Sequence, residues 1–434
     1  MQNVRPFIGR KCAFLLLLCI AALVPMLQAH AEEAASSEFG LTGDWGGQRT
    51  TLAEKGISFS LDLTSQVQGV LNGGNDESTR VLGSSEFLLD LDTDKLGLWP
   101  GGFLRVAAEG RFGRGVGAAA GNLSPVSNDA LFPFDEDRTG DEVVALTELF
   151  YTQFFSPQVG AFGGLLNTSG GDDNEYSGNS RSNEHFMNLS FLFSAVEGRA
   201  VPNVTLGGGL ILIPHEKVLG TLTYLESEES AGTNPFHSGS GSTLATEWTF
   251  KHELAGLPGR QVIGGIYAWD NEFFRLGEDP RVNLAGVVRG QGLPETDDTW
   301  SVYYNMNQAL YVDPNDEERQ WGVFLRLGYA DDESNPIHWT VAGGLGGVGL
   351  IPSRPRDRFG VGIYHLEPSD EFPIPQLGIQ GETGVEVFYN AQLLSWLQLT
   401  ADLQYIDTGR RTTRLVSTVG DDAWVGALRA RITF

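Results

Sequence analysis

Cysteine is almost missing from this chain: among 434 residues there are 2, Cys12 and Cys19. Both lie in the apolar run "CAFLLLLCIAALVPML", preceded by Arg5, Arg10 and Lys11 and followed by the small-x-small site "AHA" at Ala29–Ala31. Residues 1–31 therefore read as a secretory signal peptide, because the run is short for a membrane helix and a polar segment follows. Leu18 is too large for the position before a lipidated Cys19, which excludes a lipoprotein. Cleavage after Ala31 leaves an exported chain with no disulfide to stabilise it. Positive charge is scarce too: 29 Lys and Arg stand against 55 Asp and Glu, a net charge of −26, or −29 once the three signal cations are removed. Such a chain is a poor partner for nucleic acid or anionic lipid. Beyond the signal, no apolar run approaches the roughly 20 residues that a transmembrane helix needs. Hydropathy alone would describe an exported, water-soluble protein.

What is present points elsewhere. Glycine is abundant, with 56 residues, and aromatic residues recur in short alternating runs, as in membrane β-barrels. A linker and short helix are expected over 32–56, in "LTGDWGGQRTTLAEKG", capped at Thr51 and stopped at Gly56. From Ile57 to Phe434 the period is two. "ISFSLDLTSQVQ" sets Ile57, Phe59, Leu61 and Leu63 against Ser58, Ser60, Asp62, Thr64 and Gln66. "LATEWTFKHE" sets Leu244, Thr246, Trp248 and Phe250 against Glu247, Thr249 and Lys251. "WGVFLRLGY" sets Trp321, Val323, Leu325, Leu327 and Tyr329 against Gly322, Phe324, Arg326 and Gly328. "WVGALRARITF" puts Trp424, Leu428, Ile432 and Phe434 on one face and Arg429 and Arg431 on the other. The parity of "VVALTELFYTQFF" is ambiguous.

One strand cannot say which face is wet, and a soluble sandwich is the competing architecture. The connections favour a barrel. Short ones near Ser156, Pro214, Leu254 and Leu394 alternate with long ones at Gly113–Asp141, Thr168–Pro202, Glu226–Gly241, Asp270–Asp298, Pro368–Gln380 and Thr408–Asp422. Outer-membrane barrels alternate short periplasmic turns with long external loops in this way. The expected fold is an all-β transmembrane antiparallel barrel of about sixteen strands, with a short N-terminal periplasmic helix. Its wet face is the inside: an arginine turned to mid-membrane lipid costs roughly 2–4 kcal/mol. The terminal strand ending on Phe434 also has the form of a signal read by the barrel-assembly machinery.

Several segments carry a family resemblance. "LTGDWGGQRTTLAEKGI", "WSVYYNMNQALYVDP", "NPIHWTVAGGLGGVGLIPSRPRDRFGVGIY" and "GVEVFYNAQLLSWLQLTADLQYIDTGRR" resemble shared segments of the carbohydrate-selective porins of the OprB type. The resemblance spans nearly the whole chain after the signal. It implies a sixteen-stranded outer-membrane barrel in Gram-negative bacteria, passing monosaccharides such as glucose, with neutral sugars as permeants. The loops between Gly113 and Pro202 are expected to shape the constriction. A general or ion-preferring porin on the same barrel is the alternative function, and an outer-membrane hydrolase comes third.

Sugar passage needs a polar wall that exchanges hydrogen bonds with hydroxyls and aromatic faces on which pyranose rings slide, in sites weak enough to release the solute. The inward residues expected to supply it are Arg105, Glu109, Arg111, Arg326, Glu386, Asn390, Asp402, Gln404, Arg429 and Arg431. Taken singly, each more readily solvates the wall or pairs with a neighbour; as a set they point to a polar conduit. The external stretch "GGDDNEYSGNSRSNEHF" is long enough to fold inward, with Asp172, Asp173, Glu175, Arg181 and Glu184 at an eyelet, or to stay outside as a solvated loop. Gly344, Gly346 and Gly349 imitate a dinucleotide fingerprint, but Pro352 and Pro355 stand where its helix should begin. Asp90, Asp92 and Asp94 start like a calcium loop without its glycine or final glutamate. The histidines lack metal-ligand spacing and no serine nucleophile motif accompanies them, so no metal, cofactor or catalytic residue is expected.

Overall fold

The computed structural model describes residues 40–130, 144–227, 241–276, 295–371, 380–408 and 421–434. The expected signal peptide lies outside these residues. A short helix α1 (Gln48–Glu54) precedes β1 (Ile57–Gly74), β2 (Thr79–Asp92), β3 (Gly102–Gly113), a one-turn helix α2 (Gly117–Ala120), β4 (Val144–Ser156) and β5 (Val159–Asn167). Then come β6 (Val204–His215), β7 (Val218–Glu226), β8 (Ser242–Leu254) and β9 (Leu257–Trp269). A two-stranded ribbon, β10 (Phe273–Phe274) with β11 (Glu295–Thr296), interrupts the series. The remainder is β12 (Thr299–Asp313), β13 (Asp316–Ala330), β14 (Ile337–Val348), β15 (Arg358–Pro368), β16 (Glu382–Leu394), β17 (Leu397–Asp407) and β18 (Asp421–Thr433).

Apart from the ribbon, all these strands form one closed antiparallel barrel of sixteen, sealed where β1 pairs with β18 from Asp62↔Thr433 to Val70↔Val425. The even count brings both ends of the barrel to one rim, as the alternation of connections implies. Tight turns on that rim join β4 to β5, β6 to β7, β8 to β9, β12 to β13 and β16 to β17. At the β8–β9 turn, Ala255 and Gly256 both take positive φ, 54° and 78°, the primed-turn geometry that matches strand twist. Two connections on the opposite rim are short, 75–78 and 331–336, which the pattern of long loops does not anticipate.

Period two decides the faces as expected. Leu61, Leu63, Phe250, Leu327, Trp424 and Leu428 are exposed outward, whereas Thr64, Gln66, Thr249, Arg326, Val425 and Arg429 are buried inside. The outward belt continues through Ile263, Ile363 and Val387. An apolar band of that extent suits hydrocarbon and would be an aggregation liability in water. Aromatic residues fringe it at both rims: Trp300 with Tyr329 and Tyr405 with Trp424 on the loop side, Trp99 with Tyr151 and Tyr311 with Trp321 on the turn side.

Two local expectations need adjustment. The ambiguous parity of β4 has a cause: Ala107 pairs with Glu148 and Ala108 with Leu146, so Thr147 is the extra residue of a bulge. Thr147 and Glu148 consequently both point inward and are buried. Thr51 is not the cap of α1. The helix begins one turn earlier after Gly47, and the Asp44 carboxylate accepts from Thr50 N (2.9 Å) and Thr50 Oγ1 (3.1 Å). Thr51 Oγ1 is already inside the helix, donating back to Gly47 O at 2.8 Å. Gly56, with φ 85°, ends the helical stretch where expected.

Candidate functional site

The lumen is not empty. The connection 168–203, from the loop rim, folds into the barrel and lies against the inner faces of β13–β17. Phe186 stacks on Phe191 at 4.5 Å, and both meet Phe324 edge-on, with Phe388 and Tyr364 completing a dry cluster inside the barrel. Each fully buried phenylalanine contributes roughly 1.5–3 kcal/mol to holding the loop there. The wall makes room with inward glycines. A Cβ on Gly362 would stand 2.5 Å from the Phe191 ring, one on Gly360 2.7 Å from Phe186, and one on Gly346 2.5 Å from Tyr176 O. Gly346, part of the false dinucleotide fingerprint, is thus a socket for the loop backbone. A second inward segment, 114–130, packs Val116, Ala120 and Val126 against Val70, Ile406 and Val425.

Polar groups of the wall finish this docking. Glu386 accepts from Met187 N (2.6 Å) and Asn188 N (2.9 Å), while Asn188 Nδ2 donates to Gln404 Oε1 (3.2 Å). Arg326 is 1 % exposed, and it is paired with Asp172 and donates to Phe191 O (2.9 Å) and Gly178 O (2.8 Å). Arg429 donates to His185 O at 2.8 Å. Gln404 donates to Val126 O (2.9 Å) and Asp402 (3.0 Å), and Asn390 to Thr400 (2.8 Å). Arg111 reaches Asn128 O, Asp129 and Glu109, and Glu109 accepts from Thr147 and Asn167. Arg326, Glu386, Asn390, Asp402, Gln404, Arg429 and Arg111 are therefore inward, as parity predicts, yet they are buried in the barrel and away from open water.

The open face of the loop meets a different wall. Pairing aligns Asp62, Glu86 and Glu109 in one inward row across β1, β2 and β3. Arg181 of the loop enters this acidic row, bonded to Glu86 and to Glu148 (2.5 Å), with Glu109 at 3.7 Å. Burial alone would lower the pKa of Arg181, but these carboxylates outweigh it and raise it, so the charge is fixed. Glu184 lies between Arg358 (2.9 Å) and Arg431, and Arg431 continues to Asp62 at 3.0 Å. Burial would raise the Glu184 carboxyl, but Arg431 and Arg358 dominate and hold it at about 2. Asp173 faces Arg260 at 3.7 Å, and Glu175 is exposed. Arg105 sits apart near the turn rim, bonded through two nitrogens to Asp90 at 2.7 and 3.0 Å.

Sequence reasoning missed Asp62, Glu86, Glu148, Arg260 and Arg358 as partners of the loop. Period two places Asp62 on the polar face of β1, but the bulge hid the face of Glu148, and the row of Asp62, Glu86 and Glu109 depends on register between strands. Among the described residues, no cluster of His, Cys, Asp and Glu could hold a metal ion.

The family described as "Carbohydrate-selective porin, OprB family" matches residues 76–434. Porin B of Pseudomonas aeruginosa is 24 % identical, covering 90 % of this chain and 91 % of its own. Putative porin QuiX of Acinetobacter baylyi is 23 % identical, covering 91 % and 93 %. The high-pH structure of Pseudomonas putida OprB has the same fold, with a TM-score of 0.77 at 21 % identity over 92 % of this chain and 99 % of that one. With its closed barrel, apolar belt and loop-narrowed lumen, this chain belongs to the carbohydrate-selective porin family of the OprB type and is an outer-membrane carbohydrate porin.

Proposed function

We propose that small neutral sugars, of monosaccharide size such as glucose, diffuse passively through the open side of the lumen. The constriction is formed by Asp173, Arg181 and Glu184 of the inward loop and by Glu86, Arg260, Arg358 and Arg431 of the wall. The observation that carries this reading is the pairing of charges along the narrowed path: each arginine there stands against a carboxylate. A dehydrating ion meets no uncompensated opposite charge, whereas a hydroxyl can donate to a carboxylate and accept from a guanidinium together. Such contacts are weak and repeated, which conduction requires. No bond is made or broken, so the protein is a conduit and not a hydrolase. Its partners are the permeating sugar, the lipid around the apolar belt and, for insertion, the assembly machinery acting on β18.

Planar-bilayer recording tests this. Glucose added at millimolar levels should reduce the ion current in a saturable way, and the reversal potential should stay far from the ideal cation limit. A large current indifferent to sugar, with strong ion selectivity, would replace this reading with an ion-preferring porin.

A further inference from the structure

On the turn-rim side of the inward loop lies a second group of inward residues, one step along the strands from the Glu148 that Arg181 holds. Arg105 pairs directly with Phe150, Phe103 with Thr152 and Asp90 with Arg105, so all of them share the inner face of β2–β4. Phe154 joins them, meeting Phe103 edge-on with centroids 6.3 Å apart. They line a cleft of about 440 Å³ with Ala53 of α1 on its border. That is within the range of small-molecule sites, roughly 300–1,000 Å³.

The aromatic rings are out of place if the wall serves only to hold water. By contrast, the phenylalanines of the central cluster, Phe186, Phe191, Phe324 and Phe388, are at most 3 % exposed. Phe103 is 44 % exposed, on the wet side. Rings that only sealed α1 to the wall would be buried by it. Beside them, the Arg105–Asp90 pair is also nearly half exposed, at 42 % and 45 %, and the hydroxyls of Ser58 and Thr152 border the same cleft. A flat apolar surface edged by a neutral ion pair and hydroxyls matches one ligand chemistry. A pyranose ring carries C–H groups on its faces and hydroxyls around its edge, so the faces lie on phenyl rings while the edge exchanges hydrogen bonds. An acyl chain would gain nothing from the ion pair, and an anion would meet Asp90 and Asp92 as well as Arg105 and Lys95, a lining with no net positive charge.

We propose that this cleft is an exit-side subsite for neutral hexopyranoses, adjoining the constriction on its turn-rim side and built on Phe103, Phe150, Arg105 and Asp90. It rests on the sugar-path reading, and gives a sugar leaving the constriction a second weak site before the periplasm.

The test replaces flat rings by branched apolar side chains of similar size in the full-length porin, as Phe103→Leu with Phe150→Leu. Heat-modifiable gel mobility checks assembly. Phe103→Leu alone, at an exposed position, serves if the pair assembles poorly. D-glucose is then titrated against single-channel current from each side of the bilayer, with sorbitol as an acyclic polyol lacking the ring face. The half-blocking glucose concentration from the turn side should rise roughly 2- to 12-fold, the span of an aromatic-face contact. Sorbitol should act alike on both proteins. Glucose block that is present in the natural protein and unchanged in the variant overturns the subsite alone. Absence of any glucose effect on the natural protein overturns the sugar path and the subsite with it.

Discussion

Apart from the bulge at Thr147, the inner faces of β13–β17 and of β2–β4 obey the same two-residue alternation, yet one is dry and the other wet. On the dry side, Phe324, Tyr364, Phe388 and Leu366 form a core with the inward loop, and even Arg326 and Glu386 are spent on its backbone. On the wet side, Glu86, Arg105, Asp90 and the open face of the loop stay partly exposed. Alternation thus tells inside from outside but not pore from plug. That second distinction is made by the loop, which converts part of a channel wall into something closer to a protein interior.

The strongest way to break the contrast is to remove what makes the dry side dry. Phe186→Ala should cost the docked loop roughly 3–5 kcal/mol, as large-to-small core changes do. Asp172→Ala should cost a comparable amount, about 3–5 kcal/mol, by leaving Arg326 buried without its charge partner. In either variant the barrel should still assemble, while limited proteolysis cuts within 168–203 and single-channel conductance rises several-fold. An intact loop and unchanged conductance in Phe186→Ala would show that the cluster does not hold it.

A smaller effect is expected from Gly346→Ala, whose new Cβ would press on the backbone at Tyr176. Overpacking of this kind costs typically about 1–3 kcal/mol. Conductance should become noisy between two levels and not simply larger. A quiet trace at the natural level would mean that the loop shifts without cost.

Acid should sharpen the same comparison. His185 lies in the loop, facing Arg358, Arg429 and Glu184; burial first and then the arginines depress its pKa from 6.5 to about 3. Glu184 is depressed from 4.5 to about 2. Both groups take up protons more readily when the loop is undocked. His185 therefore weakens docking as pH falls below about 6.5, and Glu184 adds to this below about 4.5. Conductance measured at falling pH should rise in that order, and His185→Gln should remove the earlier part. A flat profile from pH 7 to 4 would contradict the sign.

On the wet side the arginines should separate. Arg431→Gln leaves the loop docked, weakens sugar block and increases cation preference by a modest factor, because Glu184 and Asp62 lose a counter-charge. Arg429→Gln, beneath the loop, should act mainly on docking through His185 O. Equal effects of the two on selectivity would erase the distinction between the walls. The smallest change belongs to the turn-side start of β13. Glu318 pairs with Arg356 at the surface, so Glu318→Gln should alter stability by only about 0–1 kcal/mol. It should leave the reversal potential in place at moderate salt, where charges beyond about 10 Å are screened.

The sequence made the barrel legible because parity is local. Arg429 and Arg431, Leu428 and Trp424, or Glu386 and Asn390 declare their faces within a few residues. The even strand count followed from the long and short connections. Less was legible in the site. The stretch Gly170–Phe186 carried charge suited to an eyelet, but its anchors are Phe186 and Phe191, whose partners lie more than a hundred residues away in sequence. The clue was present as inward aromatics at Phe324, Tyr364 and Phe388 interleaved with inward glycines at Gly360 and Gly362. Its meaning needs the strands side by side. The bulge at Thr147 was hidden for a related reason: an extra residue declares itself only against a partner strand.

The N-terminal segment has a bearing on how the barrel is completed. Arg49 donates to Phe59 O (3.1 Å) and Phe434 O (3.3 Å), and its guanidinium covers the Phe59 and Trp45 rings at 5.0 and 5.6 Å. Leu41 N donates to Thr433 O at 2.7 Å. These acceptors belong to the first strand and to the last, and they stand together only after the seam has zipped. Arg49 can hold both strand ends at once only when the seam is closed, so the full set of contacts belongs to the sealed barrel, and a protease-resistant N-terminus would report that closure.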